Sequence, residues 1–140
     1  MHNMNQCFCT SARGLANRLT QLYDHRLKST GLKVTQYSVV KKIVNRPNIT
    51  VSELATDCQL DRTTLTRNLS VLEKKGWIDV IEGLDRRQKH VRLKPEKEDA
   101  FVSARRIWEQ TQNELSELVN LDNMQLLDRQ ITEKIKGTIR

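Results

Sequence analysis

Ile49-Thr50-Val51-Ser52-Glu53-Leu54-Ala55-Thr56-Asp57-Cys58-Gln59-Leu60-Asp61-Arg62-Thr63-Thr64-Leu65-Thr66-Arg67-Asn68-Leu69-Ser70-Val71-Leu72-Glu73-Lys74-Lys75-Gly76 holds two helix-start signals in quick succession. In Thr50-Val51-Ser52-Glu53 the Thr hydroxyl and the Glu carboxylate can each satisfy an orphan backbone N–H, and Ile49 and Leu54 take the flanking positions of a hydrophobic staple. That short helix is expected to end near Gln59. Asp61 is placed to cap a second helix running to about Lys75, with Gly76 as its terminator. At about 100° per residue, Leu65, Leu69 and Leu72 share one face of this second helix and must pack inward. The opposite face presents Thr63, Arg67, Ser70 and Lys74, with Thr64, Thr66 and Val71 at its margins, and carries no acid. Such a face can enter the major groove of DNA, where Arg bonds guanine bidentately and a Thr methyl meets thymine. An ordinary solvated helix face has the same polarity, so the helix alone does not decide the matter.

Outward from this pair the hydrophobic period is helical on the N-terminal side. Phe8, Ala12, Leu15, Leu19, Leu22 and Leu27, with Ala16 and Tyr23 beside them, mark one face of a helix over residues 8–28, broken by Gly31. Tyr37, Val40, Ile43 and Val44 mark a shorter helix over residues 35–45, with Pro47 beyond its end. On the C-terminal side the period changes. Trp77-Ile78-Asp79-Val80-Ile81 is β-rich and His90-Val91-Arg92-Leu93 alternates, and the charged stretch between them contains Gly83. This predicts an antiparallel hairpin with a basic tip built from Asp85, Arg86, Arg87, Lys89 and Arg92. Arginine on such a protrusion suits the narrow, electronegative minor groove. Pro95, Glu96 and Glu98 suit the first turn of another helix, which carries Phe101, Ala104, Trp108, Leu115 and Leu118. Met124, Leu127, Ile131 and Ile135 form the stripe of a last one.

The predicted fold is therefore mostly α with a small β-hairpin wing (α+β), a winged helix-turn-helix. A chain of 140 residues fits one compact core with helical extensions. Lys and Arg outnumber Asp and Glu by 24 to 17, for a formal charge of +7, which favours a polyanionic partner. With 37% apolar and only 4% aromatic residues, aliphatic side chains must fill the core. No run is long and apolar enough to cross a bilayer, and the polar residues 1–6 do not lead into a signal-peptide apolar region. A cytoplasmic location is expected, with no membrane association. Three cysteines in a reducing compartment argue against a disulfide framework.

Val51-Ser52-Glu53-Leu54-Ala55, Leu60 through Arg67, Leu72-Glu73-Lys74-Lys75-Gly76-Trp77-Ile78 and Asp85-Arg86-Arg87 occur in the order and spacing of the MarR family of bacterial regulators, which the chain resembles from Leu15 to about Leu93. The resemblance implies a homodimeric transcriptional regulator, most often a repressor, on a pseudo-palindromic double-stranded operator. It implies an N-terminal dimerisation helix in residues 1–34, a DNA-binding lobe in 35–94 and C-terminal dimerisation helices in 95–140. Arg62, Thr63, Thr64, Thr66, Arg67, Ser70 and Lys74 would meet the major groove. Arg87 would reach the minor groove, Arg86 and Lys89 are further DNA-binding candidates on the wing, and Asp85 would brace the wing by pairing with a nearby basic group. One departure is Leu93-Lys94-Pro95, where the family carries Leu-Thr, so the threonine cap of the next helix is lost.

Cys7 and Cys9 form a Cys-x-Cys near the start of the first helix, while His2, His25 and His90 are scattered, so no metal site and no cofactor are expected. Cys58 follows Leu54 by one turn and reads as a small buried hydrophobe. The peroxide-sensing branch of the family has a reactive cysteine near the position of Cys9 and a partner tyrosine near that of Tyr23, but Arg13 and Val34 stand where further tyrosines belong. Other relatives bind small aromatic acids between the dimer helices and the DNA-binding lobe, for which Tyr37, Trp108, Arg13 and Arg18 are the candidates, although Tyr37 and Trp108 equally suit a core. No catalytic triad, metal-ligand cluster or phosphate-binding glycine loop supports an enzyme. The alternatives are a peroxide-reactive thiol enzyme using Cys9, which would turn over, and a winged helix used on another protein, which would lack salt-steep DNA binding.

Overall fold

The computed structural model describes residues 6–85 and 87–139, so His2, in the N-terminal tail, and Arg86 of the wing lie outside the described residues. The elements run α1 (Phe8–Leu27), α2 (Val34–Asn45), β1 (Ile49–Thr50), α3 (Val51–Cys58), α4 (Arg62–Lys74), β2 (Ile78–Glu82), β3 (Lys89–Leu93), α5 (Glu98–Leu118) and α6 (Leu121–Lys136), with single 3-10 turns at Lys28–Thr30 and Pro95–Lys97. The expected helices and hairpin are present. β1 was not anticipated. Its two residues add to the free edge of the hairpin, giving an antiparallel sheet of order β1-β3-β2. Ile49 faces Val91 and Thr50 faces His90 on one side of β3, while Val80 faces Val91 on the other. Thr50 therefore ends a strand and caps a helix at once.

The core is continuous through the central lobe. Tyr37, Val40 and Ile43 of α2, Leu54 of α3, Leu65 and Leu72 of α4, Ile78 of β2 and Val91 of β3 are fully buried in one cluster with Trp77, Phe101 and Ala104. Tyr37 is the largest of its completely buried side chains. Its ring stacks on Phe101 with centroids 5.9 Å apart and on Trp108 at 5.6 Å. Gly31 and Gly76 end their helical segments at φ 77° and 79°, left-handed angles at which a Cβ would be strained.

The start of α5 follows from the lost threonine. Lys94 makes no side-chain cap, Pro95 opens a 3-10 turn, and the Lys97 N–H closes it on the Lys94 carbonyl at 2.9 Å before the α-helix begins at Glu98. α5 then lies along α1, where the Tyr23 hydroxyl donates to Gln112 and Arg26 pairs with Glu114 at 2.7 Å. At the far end Asn120 caps α6 by accepting the Asp122 N–H at 2.9 Å. None of the residues of α6 is buried. Its stripe of Met124, Leu127, Ile131 and Ile135 is 41–53% exposed, and Phe8 and Leu15 on the N-terminal half of α1 are exposed too. These two faces are amphipathic as read from the periodicity, yet among the described residues nothing buries them.

Candidate nucleic-acid interface

The turn between α3 and α4 is assembled from the caps that the sequence advertises. The Thr50 hydroxyl accepts the Glu53 N–H at 3.1 Å, and Glu53 Oε1 accepts the Thr50 N–H at 3.3 Å. Ile49 and Leu54, the staple pair, are both buried. Arg46 pairs with Asp57 at 2.9 Å and also with Glu53, fastening the end of α2 to the outside of α3. α3 stops at Gln59, a non-glycine residue at φ 55°, whose N–H reaches back to the Thr56 carbonyl at 3.1 Å. Two residues later Asp61 Oδ1 accepts the Thr64 N–H at 2.6 Å and opens α4. That hydrogen bond, with the neighbouring Arg67 charge adding to it, holds the Asp61 carboxyl below the usual carboxylate range. The Glu53 carboxyl is lowered for a matching reason, by its hydrogen bonds with Thr50.

Leu65, Leu69 and Leu72 are buried, which decides what α4 shows to solvent. Arg62, Thr63, Thr66, Arg67, Ser70 and Lys74 are exposed, and Thr64 is half-buried with its backbone N–H already committed to Asp61. The Thr66 hydroxyl donates to the Arg62 carbonyl at 2.7 Å, so the side chain offers its methyl group and a lone pair rather than a free proton. Arg62, Thr66, Ser70 and Lys89 line one groove of about 530 Å³ between α4 and the wing. Glu73 and Glu82 line it as well. The outer face of α4 is free of acid as expected, but the groove beside it is not, because Glu73 on the flank of α4 and Glu82 at the end of β2 both face it.

The wing is held at its root and open at its tip. His90 Nδ1 lies 2.7 Å from the Asn48 carbonyl, tying β3 to the turn before α3. At the tip the Gly83 N–H donates to the Gln88 carbonyl at 2.8 Å and the Gln88 N–H to the Asp85 carbonyl at 2.9 Å. A Cβ on Gly83 would approach both that Gln88 carbonyl and the His90 ring to 3.1 Å, so a larger residue there would have to push them back by a few tenths of an ångström. Asp85 braces this turn, but differently from the expectation. Its Oδ1 accepts the backbone N–H of Arg87 at 3.0 Å, and among the described residues it pairs with no basic side chain. Arg87 and Lys89 stand exposed. Arg92, counted with the basic tip in the sequence, faces Asp79 across the strands at 3.7 Å, and Lys94 reaches the same carboxylate at 3.0 Å. Leu84, which the charge pattern hid, is fully exposed at the tip.

The ligand and redox candidates do not converge in the same way. Tyr37 and Trp108 do meet, but Tyr37 is wholly buried, and its hydroxyl has no partner among the described residues. Burial, with Glu109 adding to it, pushes that phenol up to about 12. Trp108 is half-buried under Lys41, whose Nζ lies 3.8 Å from the ring centroid. Arg13 and Arg18 are exposed on α1, with the Arg18 guanidinium folded back toward Gly14. A cavity of about 370 Å³ lies elsewhere, between α2, β3 and α5, lined by Ile43, Val44, Phe101, Arg92, Arg105 and Glu98 among others. Cys7 and Cys9 are exposed at the start of α1. Hydrogen bonds from Thr10 lower the Cys7 thiol. Tyr23 lies fourteen residues beyond Cys9 on the same helix, roughly 21 Å away at the helical rise, and bonds Gln112 instead. Within one subunit it is no partner for that thiol. Cys58 is half-buried against the core as a small apolar side chain, and burial pushes its thiol up.

A MarR family model matches residues 32–89. The chain is 30% identical over 101 residues to the uncharacterized HTH-type transcriptional regulator YwoH of Bacillus subtilis (strain 168), covering 72% of this chain and 68% of that protein. Among solved structures, the M. tuberculosis transcriptional regulator MosR in complex with DNA superposes with a TM-score of 0.83 at 31% identity, covering 96% of this chain and 100% of that one. Reduced AbfR bound to DNA superposes at 0.73 with 23% identity, covering 94% and 93%. The chain belongs to the MarR family and is a winged-helix transcriptional regulator.

The lowered carboxyls of Asp61 and Glu53 give this motif an acid dependence with a definite sign. Each contributes stability that is present above its unfolded pKa and is lost as pH falls through the lower folded value. Denaturation midpoints followed from neutral pH downward should therefore fall through and below the ordinary carboxylate range. Asp61→Asn, which keeps a cap acceptor without a proton to bind, should flatten that fall. An identical pH profile in the variant would remove Asp61 from the acid-sensitive groups.

Proposed function

We propose that the protein binds double-stranded DNA as a homodimer at a pseudo-palindromic operator and represses transcription there. The observation that carries this reading is the pairing of two uncommitted basic surfaces on one lobe. Arg67 and Lys74 stand on the outer face of α4, and Arg87 and Lys89 on the wing, and none of the four has an acidic partner among the described residues. α4 would lie in the major groove, with Arg67 reading guanine and the Thr63 and Thr66 methyls available to thymine. The wing would deliver Arg87 to the minor groove. Arg62, Thr64 and Ser70 border the reading face, and Lys89 with Arg86 adds charge toward the phosphates. That MosR was solved in complex with DNA supports this assignment.

The uncovered apolar faces support the dimer. The stripe of α6 and the N-terminal half of α1 would each bury against the partner, at about 1.5–3 kcal/mol for each large side chain fully removed from water. Symmetry then sets the DNA target, because two equivalent α4 helices can enter one face of a duplex about one helical turn apart.

Release from the operator has two readings, each with its own observation. The cavity between α2, β3 and α5 offers an apolar wall with Arg92 and Arg105 at its edge, suited to a small aromatic acid. The Cys7-x-Cys9 pair sits exposed at the start of a dimer-forming helix, where the lowered Cys7 thiol favours the reactive thiolate. The overoxidized form of AbfR, like the reduced one, was solved bound to DNA.

Arg67→Ala should weaken binding to a library-selected duplex by about 1–3 kcal/mol and relax preference at one base position. Arg87→Ala should weaken it strongly with fold and dimer intact. Titrations on the selected duplex and on random DNA check both, and equal losses on the two would make Arg67 a phosphate contact only. Deletion of residues 124–140 should abolish the dimer in sedimentation and DNA binding with it. A truncated protein that remained a stable DNA-binding dimer would overturn the role given to α6. For release, affinity should fall either with benzoate derivatives or with a small excess of organic hydroperoxide. A hydroperoxide effect that vanished in Cys7→Ser or Cys9→Ser would select the thiol, and one that survived both would reject it.

A further inference from the structure

We propose that Lys75 and Gln36 are positioning residues that set the tilt of α4 relative to the dimerisation helices, and with it the half-site spacing that the dimer accepts; this rests on the DNA-binding reading above. Lys75 follows the last residue of α4 and has no carboxylate partner among the described residues. Its Nζ turns back onto the protein instead, donating to the Gly31 carbonyl at 3.0 Å and to Gln36 Oε1 at 3.4 Å. Gln36 is a buried amide, and the same oxygen accepts the Lys33 N–H at 3.0 Å. One residue on, the Val34 N–H donates to Asp24 Oδ1 on α1 at 2.8 Å. A continuous run of directed hydrogen bonds thus joins α1, through Asp24, the α2 start and Gln36, to the C-terminal end of the reading helix.

The need for such a link follows from how α4 is seated. Leu65, Leu69 and Leu72 hold the helix down, but apolar contact is non-directional and tolerates tilt. Hydrogen bonds lose strength steeply with angle and so resist it. The bonds at Lys75 tie the C-terminal end of the reading helix to Gly31, in the turn between α1 and α2, and to Gln36 of α2. A change of angle there is magnified across the dimer into a change of distance between the two reading helices. One base pair of half-site separation corresponds to only about 3.4 Å along the duplex.

The test uses the full-length dimer and a duplex selected by the wild type from a random-sequence library, together with versions carrying one base pair more or fewer between the half-sites. Wild type should prefer the selected spacing. Lys75→Met, which keeps the aliphatic stem, should reduce that preference by about fivefold or more while leaving the salt dependence on the selected duplex unchanged. Gln36→Met, which alters no charge, should act in the same direction, and Lys75→Arg should retain the wild-type preference. Equal weakening of all spacings by Lys75→Met, with the salt slope reduced by about one, would make Lys75 a phosphate contact and overturn the proposal. Undiminished spacing preference in both methionine variants would overturn it as well. A wild type that selects no duplex would overturn the DNA-binding reading itself.

Discussion

Burial of Leu65, Leu69 and Leu72 is the constraint on which the rest of the molecule depends. Those three side chains join the cluster that already contains Leu54 of α3, Ile78 of β2 and Tyr37 of α2. Their seating leaves α4 one rotational setting about its own axis, since any other would put leucine in water and threonine or arginine in the core. The outer face is then a consequence. Thr63, Arg67, Ser70 and Lys74 are exposed because the leucines are not. The caps at Thr50 and Asp61 fix where the two helices begin, and Gln59 between them turns the chain sharply without a glycine.

Charge is distributed by the same logic. Arg26, Arg46, Arg92 and Lys94 are drawn into pairs with Glu114, Glu53, Asp57 and Asp79, which pin helix to helix and strand to strand. All of these pairs are at least partly exposed, so solvent screens them and each contributes little to stability. The tighter of them commit Arg26, Arg46 and Lys94 to acids within the chain, while Arg92, 3.7 Å from Asp79, is held less closely. Arg67 and Lys74 on the outer face of α4 and Arg87 and Lys89 on the wing are among the cations of this +7 chain that have no acidic partner among the described residues, although Glu73 and Glu82 lie in the groove between the two elements.

Tyr37 and its stack show how a plausible ligand group resolves into packing. Its ring is sandwiched by Phe101 and Trp108, and these contacts lock α5 onto α2, joining the lobe to the helix that lies along α1. Arg13 and Arg18, proposed beside it from sequence, belong to another stretch of α1. The cavity between α2, β3 and α5 is bordered by Arg92 of a strand and Arg105 of a helix. No local pattern could have paired them.

By itself the sequence determined every helix, both hairpin strands, the capping of α3 and α4, and the outward set on α4, because each of these depends on neighbours within about two turns, where periodicity and hydrogen-bonding side chains act. Tertiary structure decided what depends on partners distant in the chain. β1 is too short to show a period and exists only because the edge of β3 is there to pair with it. Asp85 turned to the Arg87 backbone N–H, two residues on in the tight wing, and pairs with no side-chain cation among the described residues. Arg92 met Asp79 through strand register, Lys75 met Gln36 through the fold of α2 beneath α4, and Tyr23 was taken by Gln112 when α5 packed on α1. The apolar stripe of α6 was legible as a stripe, but only the folded chain shows that its own core leaves it bare.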